Sequence, residues 1–452
     1  MNISSDTISH LLKVRVSDYK QFWGAEIPRG VENEMYEWAA DLFPFCRSLT
    51  GNGVRETLQY MQKHLPNLQI HEVPVGTKVF DWTIPPEWNV KDAYIATPDG
   101  IRLVDFNVNN LHLMGYSEPV DQMITRDALM PHLYSLVDQP TAIPYVTSYY
   151  ERKWGFSLSE DQRKVLPEGP FHVKIDSELN ENGLLTYADF LISGTSKSEI
   201  LFSTYICHPS MANNELSGPV VMLAMAKWLA SQSNLKYSYR FVFVPETIGA
   251  LTYLSRHIDE LKMNVIAGWQ VTCVGDTRSF SFLPTRNGTT LTDKVSKKVL
   301  GMESIDYIEY SYLDRGSDER QWNAPGIDLP IASIMRTKYG TYPEYHTSLD
   351  DMTVISPEGL IGSLEVYKAC VRELENVNRP KAVNLGEPQL GKRGLYPNTS
   401  IKGTYANVRN LVNVLAYSDG TNDKGELSIL TNVPPDEIES ILKVLTEHGL
   451  VS

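Results

Sequence analysis

The sequence lacks any run of about 18 uninterrupted apolar residues, so no segment predicts a membrane-spanning helix. It has only four cysteines (Cys46, Cys207, Cys273 and Cys370), which lie far apart and lack the paired spacing of structural zinc or redox sites. The amino terminus has no basic and apolar stretch of the kind that a secretion signal requires. Together these absences predict a soluble cytoplasmic protein with reduced thiols.

Positive charge is also scarce. The 452 residues include 41 Lys and Arg against 55 Asp and Glu, a formal net charge of -14. Nucleic acids and anionic membranes carry negative charge themselves, so this balance disfavours both as partners. The chain is too long for a single compact core, and two or three domains are expected.

Strand and helix patterns alternate from about residue 184 onward. Buried-strand patterns at 199–206, 237–244, 265–274 and 329–335 are separated by helical patterns at 217–229, 248–261 and 291–300, and a long one follows at 357–377. This alternation predicts an α/β fold with a largely parallel, doubly wound sheet. Residues 1–78 and 120–380 are predicted to form this domain, and short β-type runs separated by turn residues predict a β-rich insertion at 79–119.

The carboxy-terminal residues 385–452 contain three helical patterns and predict a small module that resembles a winged helix. Residues 387–452 include 6 Lys and Arg against 8 Asp and Glu, and the helix that would face DNA begins with Asp436, Glu437 and Glu439. Acidic side chains repel phosphates. The module therefore predicts protein interaction or homo-oligomerisation rather than DNA binding.

Four loops at the ends of predicted strands contain reactive side chains. His208 follows the first strand in the segment CHPSMANNELSG (207–218), and Glu246 follows the second in PETIG (245–249). The third loop is TCVGD (272–276), and His346 lies in the fourth, YPEYHTSLDD (342–351). Because the carboxyl ends of parallel strands meet at one edge of a sheet, we expect these groups to lie close together.

Two histidines and an oxygen donor, with one position left open, are the usual ligands of a catalytic zinc ion. His208 and His346 supply the nitrogens, and Glu246 is the candidate general base for a water molecule activated by the metal. Each residue alone has an ordinary structural explanation: a histidine at a strand end often only completes a hydrogen bond, and a glutamate that opens a helix often only complements its dipole. Their occurrence on successive strand ends favours catalysis.

These motifs, in this order and together with SDERQW (317–322), resemble the aminopeptidase-like family, which is related to the zinc aminopeptidases and glutamate carboxypeptidases. The resemblance extends from about residue 36 to residue 377, and the terminal module also fits. It implies a three-layer α/β/α zinc-exopeptidase fold with a small inserted β domain and a carboxy-terminal winged helix. It also implies that His208 and His346 bind metal and that Glu246 is the base.

The sequence departs from the two-metal pattern of the broader family at three positions. Where related enzymes have metal-binding carboxylates, this chain has Asn214, Thr247 and Thr272. Two zinc ions without these anions would carry a large uncompensated charge. The resemblance therefore implies a single zinc ion in this protein.

The third ligand of that ion is predicted to be Glu215, because it is anionic and shares the loop of His208. Asn214 is the neutral alternative, and Asp276 and Asp318 are further candidates that the sequence leaves open. Each offers an oxygen, which zinc accepts beside imidazole nitrogen.

Five residues near the predicted metal are predicted to contact the substrate. Arg320 or Arg336 offers a bidentate clamp for a substrate carboxylate, and Asp318 or Glu344 offers an acceptor for a free amino group. Asn214 completes the set. The alternative interpretation of the charged residues is a network of surface ion pairs.

The best single interpretation is a zinc-dependent amide hydrolase with exopeptidase-like chemistry and a small peptide-like substrate. A second hypothesis keeps this chemistry but assigns it to an amide in a modified sugar or cell-surface precursor, because members of the resembled family are associated with polysaccharide biosynthesis. A third is a catalytically inactive scaffold, in which the missing carboxylates mark a site that has lost its metal.

Overall fold

The structure is a computed structural model that describes residues 30–302, 305–396, 402 and 408–452. The domain that was predicted to begin at residue 1 is therefore seen from residue 30, and residues 1–29 lie outside the described residues. The described residues divide into two compact units, and the division falls between Cys370 and Val371. They are called the unit 1–370 and the unit 371–452. Among the described residues, no helix combines the length and the apolar character needed to cross a membrane.

The strands of the described chain are, in order, β1 (Gln69–Pro74), β2 (Lys78–Val79), β3 (Trp82–Thr83), β4 (Glu87–Ala96), β5 (Arg102–Asp105), β6 (Val120–Ile124), β7 (Leu133–Tyr134), β8 (Phe156–Ser157), β9 (Phe171–Asn180), β10 (Leu184–Ile192), β11 (Glu199–Tyr205), β12 (Ser238–Val244), β13 (Val265–Gln270), β14 (Phe280–Leu283), β15 (Tyr307–Glu309) and β16 (Ile331–Met335).

The α-helices are α1 (Val31–Leu42), α2 (Asn52–His64), α3 (Arg126–Leu129), α4 (Glu160–Lys164), α5 (Ser217–Ala230), α6 (Ile248–Asn264), α7 (Leu291–Met302), α8 (Glu319–Trp322), α9 (Pro357–Asn376), α10 (Arg409–Ala416), α11 (Lys424–Thr431) and α12 (Pro435–Glu447). A single π-helical turn, Ala212–Leu216, directly precedes α5.

The large sheet has eight strands in the order β1-β10-β12-β11-β13-β16-β14-β15. Its middle strands β12, β11, β13 and β16 are mutually parallel. Strand β10 pairs antiparallel with β1 and β12, and β14 pairs antiparallel with β16 but parallel with β15. Every residue of β11 and β12 is buried, as expected for parallel strands that are covered on both faces. The sheet is thus parallel in the middle, as predicted, and mixed at its flanks.

Helix α5 is apolar around its whole circumference, and its first ten residues are buried. A helix of this kind must lie in the interior of a domain. Its second residue, Gly218, has no room for a side chain, because a Cβ atom there would lie 2.4 Å from the carbonyl oxygen of Val271. The close approach fixes the loop before α5 against the end of β13.

A separate four-stranded antiparallel sheet has the order β5-β4-β9-β6 and extends from residue 87 to residue 180. Its longest pairing joins β4 to β9 along nearly their whole lengths. The predicted insertion, 79–119, contains β4 and β5, and its predicted end falls between strands of this same sheet.

The unit 371–452 contains α10, α11 and α12 around its own apolar core, which includes Leu415, Leu427 and Leu442. Two short bridges, Lys381 with Asp419 and Ala382 with Val451, bring its ends together. The first turn of α12 is acidic, as the sequence shows.

Candidate active site

The loops that follow β11, β12, β13 and β16 leave the sheet from the same edge, because these strands are parallel. Each loop contains a residue other than glycine with a positive φ angle: Ser210, Thr247, Cys273 and His346. Such backbone is uncommon and costs about 1–3 kcal/mol where it occurs. Its concentration at one edge of the sheet marks a place where the surrounding structure holds the chain in a fixed geometry.

His208 lies buried at the centre of this edge. Its Nδ1 atom is 2.8 Å from Oε2 of Glu215, and its Nε2 atom is 3.7 Å from Oε2 of Glu246. The two ring nitrogens therefore face different carboxylates. Nδ1 therefore donates to Glu215, while Nε2 is directed toward Glu246.

Arg47 is buried behind this pair. Its Nε atom donates to the carbonyl oxygen of His208 at 2.9 Å and lies 3.5 Å from Oε1 of Glu215. Neither side chain of the Arg47–Glu215 pair is exposed. The guanidinium therefore neutralises the Glu215 carboxylate and supports the backbone of His208.

The imidazole of His346 approaches that of His208, with 5.2 Å between the ring centroids. Burial, followed by the charge of His208, lowers the pKa of His346 to about 3. A neutral imidazole is the form that binds metal. Zn–N bonds of about 2.0–2.1 Å in tetrahedral geometry place the centroids of two imidazole ligands roughly 5 Å apart. The observed spacing fits one ion held by both rings.

Tyr145 packs against both imidazoles, with its ring centroid 5.3 Å from that of His208 and 5.3 Å from that of His346. Its backbone N–H donates to the carbonyl oxygen of His346, and its hydroxyl is 2.6 Å from the hydroxyl of Tyr149. A second tyrosine, Tyr345, stacks on the imidazole of His346, with 3.9 Å between the ring centroids. Aromatic rings thus hold the two histidines in place without using their ring nitrogens.

Glu246 is partly accessible to solvent. Its side chain is 21% exposed, compared with 5% for His208. Burial of its carboxylate raises the pKa of Glu246, and the neighbouring charges of His208 and Arg320 oppose this shift. A carboxylate of raised pKa is suited to accept a proton near neutral pH.

Thr247 follows Glu246 in a strained turn. Its φ and ψ angles are 61° and -75°, and the N–H of Ile248 donates to the carbonyl oxygen of Glu246 at 2.7 Å, which makes the three residues a γ-turn. Asp318 accepts a hydrogen bond from the N–H of Thr247 at 2.7 Å, and Arg320 donates to its hydroxyl at 2.6 Å.

Asp318 itself is fully buried. Its Oδ2 atom has no hydrogen-bond partner among the described residues. Burial, together with the negative charge of Glu246, raises the pKa of Asp318 well above its ordinary value. Of the predicted substrate contacts, Asp318 and Arg320 therefore lie beside the turn of Glu246 and Thr247.

The amide oxygen of Asn214 accepts a hydrogen bond from the hydroxyl of Tyr205 at 2.9 Å. The same hydroxyl contacts Thr272. The ring of Tyr205 is 5.2 Å from that of His208. Two of the positions that are carboxylates in the resembled two-metal enzymes are therefore neutral here and share a tyrosine hydroxyl.

The two other predicted substrate contacts are engaged elsewhere. Glu344 forms a bidentate pair with Arg278, with distances of 2.7 and 2.8 Å, and this partner lowers its pKa. Arg336 donates to the carbonyl oxygen of Asp276 and lies 3.9 Å above the ring of Phe280. The contacts of Glu344 correspond to the ion-pair alternative, whereas Arg336 is held by a backbone carbonyl and an aromatic ring.

A second possible metal site lies on the Nδ1 side of His208, where the neighbouring side chains are Cys207, Glu215 and Arg47. Cys207, His208 and Glu215 offer ligand atoms within 4.8 Å of one another. However, Arg47 already neutralises Glu215, and burial raises the pKa of Cys207 to about 11, which keeps its thiol protonated at neutral pH. Both groups therefore already have a role or a proton, while Nε2 of His208 is directed toward Glu246.

Asp350 fixes the loop that contains His208 and Glu215. Its Oδ1 accepts from the N–H of Asn213 at 2.7 Å, and its Oδ2 accepts from the N–H of Asn214 at 2.9 Å and from the hydroxyl of Tyr342 at 3.0 Å. Since the carboxylate is completely buried, it satisfies donors that water cannot reach.

We expect Asp350→Ala to lower the free energy of unfolding by about 1–3 kcal/mol, because two buried N–H groups lose their acceptor. Burial raises the pKa of Asp350 from 3.8 to about 6. The folded state therefore binds this proton more tightly than the unfolded chain, and its contribution to stability declines as the pH rises from about 4 to 6. Urea unfolding at several pH values should show a difference between wild type and variant that shrinks over this interval. A constant difference would contradict the prediction.

Comparisons with known proteins agree with this fold. A family model described as a domain of unknown function, DUF4910, matches residues 36–377, and a winged helix-turn-helix model matches residues 378–452. A Clostridium acetobutylicum protein, described as a polysaccharide biosynthesis protein with an aminopeptidase-like domain, is 47% identical over 366 residues, which are 80% of this chain and 83% of the relative.

Solved structures extend the comparison. A C. acetobutylicum crystal structure described as a peptidase has a TM-score of 0.77 and 39% identity, covering 99% of this chain and 100% of that one. The zinc aminopeptidase BSAP from Bacillus subtilis has a TM-score of 0.56 and 14% identity over 77% of this chain and 96% of its own, which shows the fold alone. The predicted zinc-exopeptidase-like fold with a carboxy-terminal winged helix is confirmed. The chain belongs to the DUF4910 family and is an aminopeptidase-like protein that continues into a winged helix.

Proposed function

We propose that this protein is a zinc-dependent hydrolase that cleaves an amide bond in a peptide-like substrate. One zinc ion would be held by Nε2 of His208 and by the imidazole of His346, and Glu246 would be the general base. The observation that carries the proposal is the arrangement of the three side chains. The ring centroids of the two imidazoles are 5.2 Å apart, and the Glu246 carboxylate lies 3.7 Å from Nε2 of His208.

A bound zinc ion would supply Lewis-acid chemistry, activating both a water molecule and the carbonyl of the scissile amide. Glu246 would accept the proton of the attacking water and transfer it to the departing nitrogen. Its partial exposure gives it access to water, and its raised pKa suits both steps. Tyr145 and Tyr345 would keep the two imidazoles oriented, because Tyr145 packs on both histidines and Tyr345 stacks on His346.

Glu215 was predicted from the sequence as the third metal ligand. Its contacts support a different role, since one oxygen accepts from Nδ1 of His208 and the other faces Arg47. We propose that Glu215 orients His208 from behind, as carboxylates commonly do for zinc-binding histidines. Substrate and solvent would then approach the metal from the side of Glu246.

A second candidate substrate is an amide in a modified sugar or cell-surface precursor. It is favoured by the description of the 47% identical relative as a polysaccharide biosynthesis protein. The chemistry assigned to Glu246 and the histidines is the same for both substrate classes. Assays of N-acetylated and peptidyl sugars beside aminoacyl p-nitroanilides distinguish them.

We expect protein purified without chelators to contain about one zinc ion per chain, and His208→Ala and His346→Ala each to lose it, because two imidazoles provide the nitrogen ligands. Plasma emission spectroscopy after dialysis measures the content. His172→Ala is the matched control, since His172 also pairs with a carboxylate, Asp121, at 2.7 Å. Native protein that holds no metal would support the inactive scaffold instead. Retention of zinc by both histidine variants would show that the metal binds at another site.

A further inference from the structure

We propose that Asp318 is a positioning residue for the base: by accepting the N–H of Thr247 it fixes the direction in which the Glu246 carboxylate points. This inference rests on the proposed function of Glu246. It assigns to Asp318 a role different from the substrate contact that the sequence predicts.

The first step is the conformation of Thr247. A β-branched residue at φ 61° and ψ -75° clashes with its own backbone, and a γ-turn of this hand is rare. Such a conformation persists only where neighbouring groups over-determine it. Outside this turn, Asp318 accepts the N–H of Thr247 and Arg320 donates to its hydroxyl, while its carbonyl oxygen accepts from the N–H of Leu251 in the first turn of α6.

The peptide N–H of Glu246, the residue before Thr247, is also fixed. The N–H of Glu246 donates to Sγ of Cys207 at 3.2 Å, and Cys207 directly precedes His208. Glu246 is thus anchored on one side to the neighbour of the metal-binding histidine and on the other side, through Thr247, to Asp318. With both peptides fixed, the carboxylate is held 3.7 Å from Nε2 of His208.

The third step is the burial of Asp318. Its side chain is fully buried, whereas the Glu246 side chain is 21% exposed. One oxygen of Asp318 is already used by the N–H of Thr247. A group that is enclosed in this way is placed to hold backbone rather than to meet an incoming amino group.

Asp318→Ala and Asp318→Asn separate the two roles. Asparagine keeps an oxygen that can accept the N–H of Thr247, while alanine does not; both remove the charge that an amino group would need. For hydrolysis of leucine p-nitroanilide by the full chain, we expect kcat of the alanine variant to fall about 10–100-fold, with KM within about threefold of wild type. The asparagine variant should keep kcat within about threefold, and both should retain zinc.

Asp293 provides the matched control. It is also buried and accepts a backbone N–H, that of Thr285, at 2.8 Å. We expect Asp293→Ala to reduce stability without changing kcat. A loss of kcat in this control equal to that in Asp318→Ala would show that any buried aspartate has the same effect, and would overturn the proposal.

Crystal structures of the two Asp318 variants provide a readout that does not depend on activity. We expect Asp318→Ala to relax the φ angle of Thr247 and to move the Glu246 carboxylate away from His208, and Asp318→Asn to preserve both. Equal increases of KM in both variants, or an unchanged turn in the alanine variant, would overturn the positioning role. If the wild type hydrolyses no probe, the proposed function fails, and the structures still decide whether Asp318 holds the turn.

Discussion

Glu246→Gln should reduce kcat for leucine p-nitroanilide by about 10²–10⁴-fold while leaving the zinc content of the protein unchanged. Glutamine has nearly the same shape but cannot accept and return a proton, and general base catalysis contributes a factor of this size. Because Glu246 faces Nε2 of His208 at 3.7 Å without being one of the proposed imidazole ligands, the metal should remain bound. Steady-state kinetics and metal analysis on the same preparation measure both quantities.

Glu181→Gln is the matched control for this loss, because Glu181 is an exposed carboxylate that pairs with Arg152 on the surface. It should have wild-type kcat. Turnover by Glu246→Gln equal to that of wild type would exclude Glu246 as the base. Loss of zinc together with activity would instead identify it as a metal ligand, and the assignment of a base would then pass to another group.

The sequence predicts that His208, Glu246 and His346 lie together, because parallel strands leave little freedom in where their ends lie. His208, Glu246 and His346 each follow a strand of the parallel middle of the sheet, and the order of buried strands alone predicts that they share an edge. The distance of 138 positions between the two histidines is immaterial once the strands pair. This part of the site depends on topology, which hydrophobic periodicity reveals.

Partner choice among polar side chains depends on tertiary contacts that no local pattern reveals. Glu344 was predicted to receive an amino group, but it lies against Arg278, 66 positions away. Arg47 was not singled out, although it supports both His208 and Glu215. Its only local signal is that it shortly precedes Leu49, Thr50 and Gly51, a segment whose composition is typical of a turn.

The small sheet shows the same limit for domain boundaries. The sequence indicates short β runs from residue 79 onward and places the end of the insertion at 119. The strand that pairs most extensively with β4 is β9, which begins at residue 171. Pairing across so long an interval leaves no local signal, because β9 has the same alternating pattern whichever sheet it joins.

Glu215→Gln should lower the free energy of unfolding of the unit 1–370 by about 3–5 kcal/mol, the usual cost of leaving one member of a buried ion pair uncompensated. Arg47 would lose the carboxylate that neutralises it while both groups stay inaccessible to water. Glutamine still accepts from Nδ1 of His208, but its amide N–H groups then face the guanidinium. Urea unfolding and calorimetry, with the transition of the unit 371–452 identified separately, measure the change.

The surface pair Arg152–Glu181 again provides the control, since both side chains are more than half exposed and Glu181→Gln should cost no more than about 1 kcal/mol. The zinc affinity of Glu215→Gln then decides how this residue acts. An orienting partner of a metal-binding histidine contributes about 10–100-fold in affinity. Complete loss of zinc would restore Glu215 as a direct ligand, whereas an unchanged affinity would mean that the packing of Tyr145 and Arg47 is enough to orient His208. A loss within the expected range, together with the loss of stability, would show that one buried carboxylate both completes the core ion pair and directs Nε2 of His208 toward the site.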